Sequence, residues 1–130
     1  MLQIEDDSGV RTSLNAHPLC AIAEIPDGGA REAEAEVDGI AESLIVTRRG
    51  ERVHAFLNVC PHAGRRLDWA PGQFLIDRGH LVCAVHGASF ELPGGECVGG
   101  PCRGASLRAV ATEVRDAQVW LLAADNPGSE

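Results

Sequence analysis

The chain has 130 residues, 45% of them hydrophobic and 23% charged, which fits one folded domain with its own core and argues against wholesale disorder. Nineteen acidic against eleven basic residues leave a formal charge of −8, so the clustered positive charge that nucleic acid or an anionic membrane surface would require is missing. The apolar runs, such as 55–57 and 119–124, are too short to span a bilayer.

Residues 1–17 read as a leader, 18–124 as the domain and 125–130 as a tail. The acidic, polar start has neither the positive region nor the apolar stretch of a signal peptide. The expected compartment is therefore the cytoplasm, where Cys near His points to metal rather than to a disulfide. A first strand is predicted over 19–25, stopped by Pro26-Asp27-Gly28-Gly29. Residues 31–37 alternate Ala33, Ala35 and Val37 with Glu32, Glu34 and Glu36; the composition suits a helix, but the strict alternation predicts an exposed strand with a solvated acidic face. Residues 43–47 and 52–57 predict a hairpin across Arg48-Arg49-Gly50-Glu51. From Cys60 to Cys102 the chain is too rich in Gly and Pro for long helices, and short strands are predicted at 79–83 and 89–92. A last hairpin joins 107–114 to 118–122 around Arg115-Asp116. Many short strands with turn signals between them predict an all-β antiparallel sandwich or barrel.

The chemistry is concentrated in Cys60-Pro61-His62 and Cys83-Ala84-Val85-His86. Two thiolates and two imidazoles can hold zinc tetrahedrally or a [2Fe–2S] cluster asymmetrically. Zinc fingers usually take a Cys pair from one element and a His pair from another. Here each loop offers one of each, which suits a cluster with both Cys on one iron and both His on the other.

These residues, with the flanking Cys60-Pro61-His62-Ala63-Gly64 and His86-Gly87-Ala88-Ser89-Phe90, resemble the signature of the Rieske-type ferredoxins, C-x-H…C-x-x-H-G. The resemblance runs from about Leu19 to Leu122. It implies a Rieske-like β-sandwich or barrel with a smaller cluster-binding part, at about 58–104, made of two loops. It implies one [2Fe–2S] cluster per chain, with Cys60 and Cys83 on the inner iron and His62 and His86 on the outer one. Gly100-Pro101 stands where the family has a loop covering the cluster. The 20 residues between His62 and Cys83 are a few more than in small Rieske ferredoxins, and the excess is expected in a turn at 69–77.

High-potential members of the family carry a Ser two residues after the last His, a Tyr two further on, and a disulfide between the cluster loops. Here those positions are Ala88, Phe90, Arg65 and Val85, and the chain has no Tyr at all. The resemblance thus implies the low end of the family's potentials. Cys97 and Cys102 flank Val98-Gly99-Gly100-Pro101; they fit a disulfide, two thiols beside the cover, or a sensing pair. Arg65-Arg66 reads either as a positive rim for an acidic partner or as two solvated arginines. Cys20, His54 and His80 read as structural residues, and His17 as solvated.

No His follows His86, so the second, mononuclear iron of Rieske oxygenases has no ligands here. The expected function is that of a one-electron carrier rather than an enzyme. It would take electrons from a flavin-dependent NAD(P)H reductase and pass them to a terminal oxygenase or another redox acceptor. A small subunit similar to that of nitrite reductase, and a zinc-stabilised interaction module, are the alternatives.

Overall fold

A computed structural model describes residues 16–61, 66–83, 87–100 and 104–122. Among these residues every strand pairing is antiparallel, in three small sheets. The first holds β1 (Ala16–Ala21), β11 (Gln118–Leu122) and β10 (Thr112–Arg115), in that order. The second runs β2 (Ala30–Val37), β3 (Ile40–Arg49), β4 (Arg52–Leu57), β9 (Ala109–Val110). The third runs β5 (Leu75–Asp77), β6 (His80–Val82), β7 (Ser89–Glu91), β8 (Cys97–Gly99). The all-β antiparallel architecture is the one predicted, and the third sheet lies wholly within 58–104, the stretch expected to form the smaller part. No helix among the described residues is long and apolar enough to cross a membrane.

Strands β3 and β4 decide where the core sits. Leu44, Ile45, Val46 and Thr47 are all buried, so β3 is covered on both faces. Side chains alternate between the faces of a strand, and the two sets go to different cores. Val46 and Ala55 pack with Cys20, Ile25 and Val119, and Leu44 and Leu57 with Leu121, all on the side of the first sheet. Ile45 and Phe56 pack on the other side, with Leu81 and Phe90 of the third sheet, with Leu92 just after it, and with Cys60 and Cys83. Thr47 reinforces that junction by donating its hydroxyl to the Leu92 carbonyl at 3.2 Å. The chain after β7 then passes over the Phe56 ring at Gly95, where an added Cβ would lie 2.6 Å from Phe56 Cε1.

The alternating segment at 31–37 is a strand, as predicted. Strand β3 begins at Ile40 rather than 43 and pairs with β2 in a hairpin outside the expectations, because Asp38 and Gly39, both at positive φ, make a two-residue turn that lets pairing begin at Val37–Ile40. The 19–25 expectation is corrected. The strand ends at Ala21, and Ile22–Glu24 forms one 3₁₀ turn. That turn is held from outside its own segment, because the Arg48 guanidinium donates to the Ile22 and Ile25 carbonyls at 3.3 and 3.1 Å.

The 69–77 turn is half right. Trp69 N–H donates to the Gln73 carbonyl at 3.0 Å, closing a turn, but residues 75–77 leave it as an edge strand with only Ile76 half-buried. Strand β8, inside the Gly-rich stretch, was not predicted. The last hairpin turns at Asp116 and Ala117, and its first arm breaks at Ala111, so β9 joins the second sheet and β10 the first.

Candidate metal centre

Cys60 follows β4 by three residues, and Cys83 follows β6 directly. Two different sheets therefore each deliver one thiol. Their exposures are 0% and 1%, and both belong to one buried cluster with Leu67, Leu81, Ala88, Phe90 and Cys97. A free thiolate in such surroundings is costly, whereas a thiolate bound to iron is neutralised by its metal. Two buried sulfurs delivered into one apolar cluster by separate loops fit half of an asymmetric two-iron site. His62, His86, Pro101 and Cys102, like Arg65 and Val85, lie outside the described residues. Among the described residues no group of three metal-ligating side chains occurs.

The second loop is tightly folded at its base. Cys83 N–H donates to the Ala88 carbonyl at 2.7 Å, and Gly87 N–H to the Cys83 carbonyl at 2.8 Å. Gly100 rests on this turn, so close that an added Cβ would be 2.8 Å from Ala88 Cα and 2.9 Å from the Gly87 oxygen. Cys97 is buried nearby, and its thiol donates to the Gly99 carbonyl at 3.2 Å.

The first loop is anchored by a polar network that sequence reading missed. Asn58, 2% exposed, accepts Leu67 N–H on Oδ1 at 2.8 Å and donates from Nδ2 to Ser43 Oγ at 3.2 Å. Ser43 Oγ donates to Glu32 Oε2 at 2.6 Å, and Arg66 donates to that same oxygen at 2.8 Å. Arg66 also grips Asp68, at 3.0 Å from Nε and 2.7 Å from Nη2. Asp68 in turn accepts Gly72 N–H at 3.0 Å, which holds the turn that presents Trp69, 61% exposed. Two expectations change here. Glu32 is not part of a purely solvated face, and Arg66 is matched by two carboxylates of its own chain, so it offers little charge to an acidic partner. The sequence shows only an Asn between the apolar run 52–57 and Cys60; its burial and its partners come from the fold.

Burial pushes the Asp68 carboxyl up, but its bond from Arg66, the Gly72 N–H, the Arg66 charge and Asn58 together bring it below its ordinary 3.8. A carboxyl depressed in the folded state leaves that state with fewer bound protons than the unfolded chain. The stabilisation is complete above the unfolded value and is lost as the pH falls through it toward the folded one. Asp68→Asn is accordingly expected to flatten the fall in thermal midpoint below about pH 4.5, as the pH passes through the unfolded carboxyl value of about 3.9. An unchanged acid slope in the variant would show that Asp68 does not carry it.

Cys20 is buried between the first two sheets, and burial raises its thiol pKa, with Arg31 opposing and Glu24 adding. His54 is half-buried on β4 and pushed down by burial and by Arg52. His17 is exposed.

Residues 15–117 match the Rieske [2Fe–2S] domain family. No curated protein matches the sequence. Among solved structures, the ferredoxin of carbazole 1,9a-dioxygenase from Nocardioides aromaticivorans IC177 is similar with a TM-score of 0.65 at 24% identity, over 85% of this chain and 99% of that one. A ferredoxin of Sphingomonas yanoikuyae B1 gives 0.69 at 23% identity, over 85% and 100%. The terminal oxygenase of carbazole 1,9a-dioxygenase from Novosphingobium sp. KA1 gives 0.68 at 18% identity, over 89% of this chain but 31% of its own. With the paired loops, the buried thiols and the family match in agreement, the chain belongs to the Rieske [2Fe–2S] domain family and its cofactor is a [2Fe–2S] cluster.

Proposed function

We propose that the chain is a one-electron carrier of the oxygenase-ferredoxin kind, reduced by a flavin-dependent NAD(P)H reductase and oxidised by a terminal oxygenase. The observation that carries this reading is the shared burial of Cys60 and Cys83 at the ends of two loops. The comparisons support it: two ferredoxins are matched over 99% and 100% of their own length, and the oxygenase over 31% of its own. Cys60 and Cys83 would hold the inner iron, and His62 and His86 the outer. When bound, the cluster supplies the chemistry of accepting and releasing one electron.

The protein's part is to exclude water from the sulfur side and to set the potential. Hydrogen bonds to cluster sulfurs stabilise the reduced, more negative state and raise the potential. Ala88 and Phe90 are buried and carry no hydroxyl, and the chain has no Tyr to supply a phenol from elsewhere. A potential near the lower end of the family window, about −150 mV, is the expected result of a mediated redox titration. It should come with one-electron exchange with a Rieske oxygenase in anaerobic stopped-flow mixing. A potential near the upper end, about +300 mV, or no exchange with an oxygenase would contradict the proposal.

A further inference from the structure

Asn58 stands two residues before Cys60, and its side chain joins the two ends of the segment that carries this cysteine. We propose that Asn58 is the positioning residue of the first ligand loop, an inference that rests on reading Cys60 as an iron ligand. The backbone of Asn58 is fixed first, its N–H donating to the Ser43 carbonyl of β3 at 2.9 Å. Its side chain then reaches across to Leu67, whose N–H is buried and has its bond to Oδ1 at 2.8 Å. Because a backbone N–H can only donate, the amide orientation is determined: oxygen toward Leu67, nitrogen toward Ser43.

From Ser43 the bonds run through Glu32 to Arg66, the residue next to Leu67, so the circuit closes on itself. Of the circuit's members only Arg66 and Glu32 carry charge, and those two are joined as an ion pair at 2.8 Å. Only an amide of this length serves both ends of such a position. Leucine would fill the space but leave Leu67 N–H buried without a partner. Aspartate could accept from Leu67, but it has no N–H for Ser43 and would set a third carboxylate beside Glu32 and Asp68. The chain entering and leaving the Cys60 segment is thus held by one side chain, and the bonds that hold it reach back into β2 and β3 rather than into the third sheet.

The test uses the full chain carrying its cluster, as wild type, Asn58→Leu and Ser43→Ala. The readouts are the rate of iron release to a chelator well below each melting temperature, the electron paramagnetic resonance spectrum of the reduced protein, and the thermal midpoint. Asn58→Leu is expected to release iron on the order of tenfold faster, as a buried N–H loses its acceptor, and to broaden or shift the reduced-state spectrum. Ser43→Ala keeps the bond to Leu67 and is expected to accelerate release by only about threefold. If Asn58→Leu lowers the thermal midpoint but leaves release and spectrum as in wild type, Asn58 is a stabilising residue only and the inference is overturned. Should that variant fail to fold, Ser43→Ala decides alone, and a wild-type release rate would overturn the inference. A wild-type chain that takes up no iron would instead remove the ligand assignment, a failure seen before any variant is compared.

Discussion

Replacing His86 with cysteine is expected to leave a cluster on the chain and to lower its reduction potential by about 100–150 mV. The sign follows from charge. Two ferric ions, two sulfides and two thiolates sum to zero, so the oxidised site is formally neutral with two imidazole ligands. A third thiolate makes it an anion before any electron arrives, and adding the electron becomes harder. The size follows from the family ranges: about 250 mV separates the low end of the His-ligated window from the plant-type all-Cys ferredoxins, a change of two ligands, so one ligand accounts for about half. His86 lies outside the described residues, so this variant tests its assignment directly. A mediated titration showing an unchanged potential would remove His86 from the ligand set.

The second large effect is expected at Gly100. The residue has φ +87°, a conformation that costs a side-chain-bearing residue about 1–2 kcal/mol. A Cβ there would also meet Ala88 Cα at 2.8 Å, the Gly87 oxygen at 2.9 Å and Ala88 N at 3.1 Å. All three are backbone atoms, which cannot rotate aside as a side chain can, and forced overpacking of this kind costs about 1–3 kcal/mol. Either the chain at Gly100 lifts or the Gly87–Ala88 turn shifts and strains the 2.7 Å bond from Cys83 N–H. Gly100→Ala is therefore expected to lower the thermal midpoint by about 10 °C and to reduce iron content as purified. Gly104→Ala is the control. Its φ is +95°, but an added Cβ has nothing within 4 Å among the described residues, so it carries the conformational cost without the contact. Equal losses in the two variants would show that the contact with the second loop does not matter.

Most of the frame was legible because its signals are local. The alternation at 31–37 and the turn chemistry at 48–51 predict strands and a hairpin, and β2, β3 and β4 occupy those places. The misreadings share a cause: tertiary contacts override a local pattern. Residues 22–24 sit in an apolar run that suggests a continuing strand, yet Arg48, distant in sequence, supplies hydrogen bonds that stabilise a turn there. Strands β5 and β8 flank β6 and β7 and exist because those two offer them edges, a tertiary cause with no local signal. The proposed ligand pair rests on the Cys-x-His and Cys-x-x-His spacings, which are local and legible. The bonds that hold the first loop are not, because Glu32, Ser43 and Asn58 lie on three segments whose proximity only the fold creates.

The measurement that bears most directly on the electron-carrier reading is electron paramagnetic resonance of the dithionite-reduced protein, with iron and zinc determined on the same sample. Two irons per chain are expected, with a signal whose average g lies below that of all-Cys clusters, because imidazole replaces thiolate on one iron. A silent, colourless sample with one zinc per chain would contradict it and make the paired Cys and His a structural site.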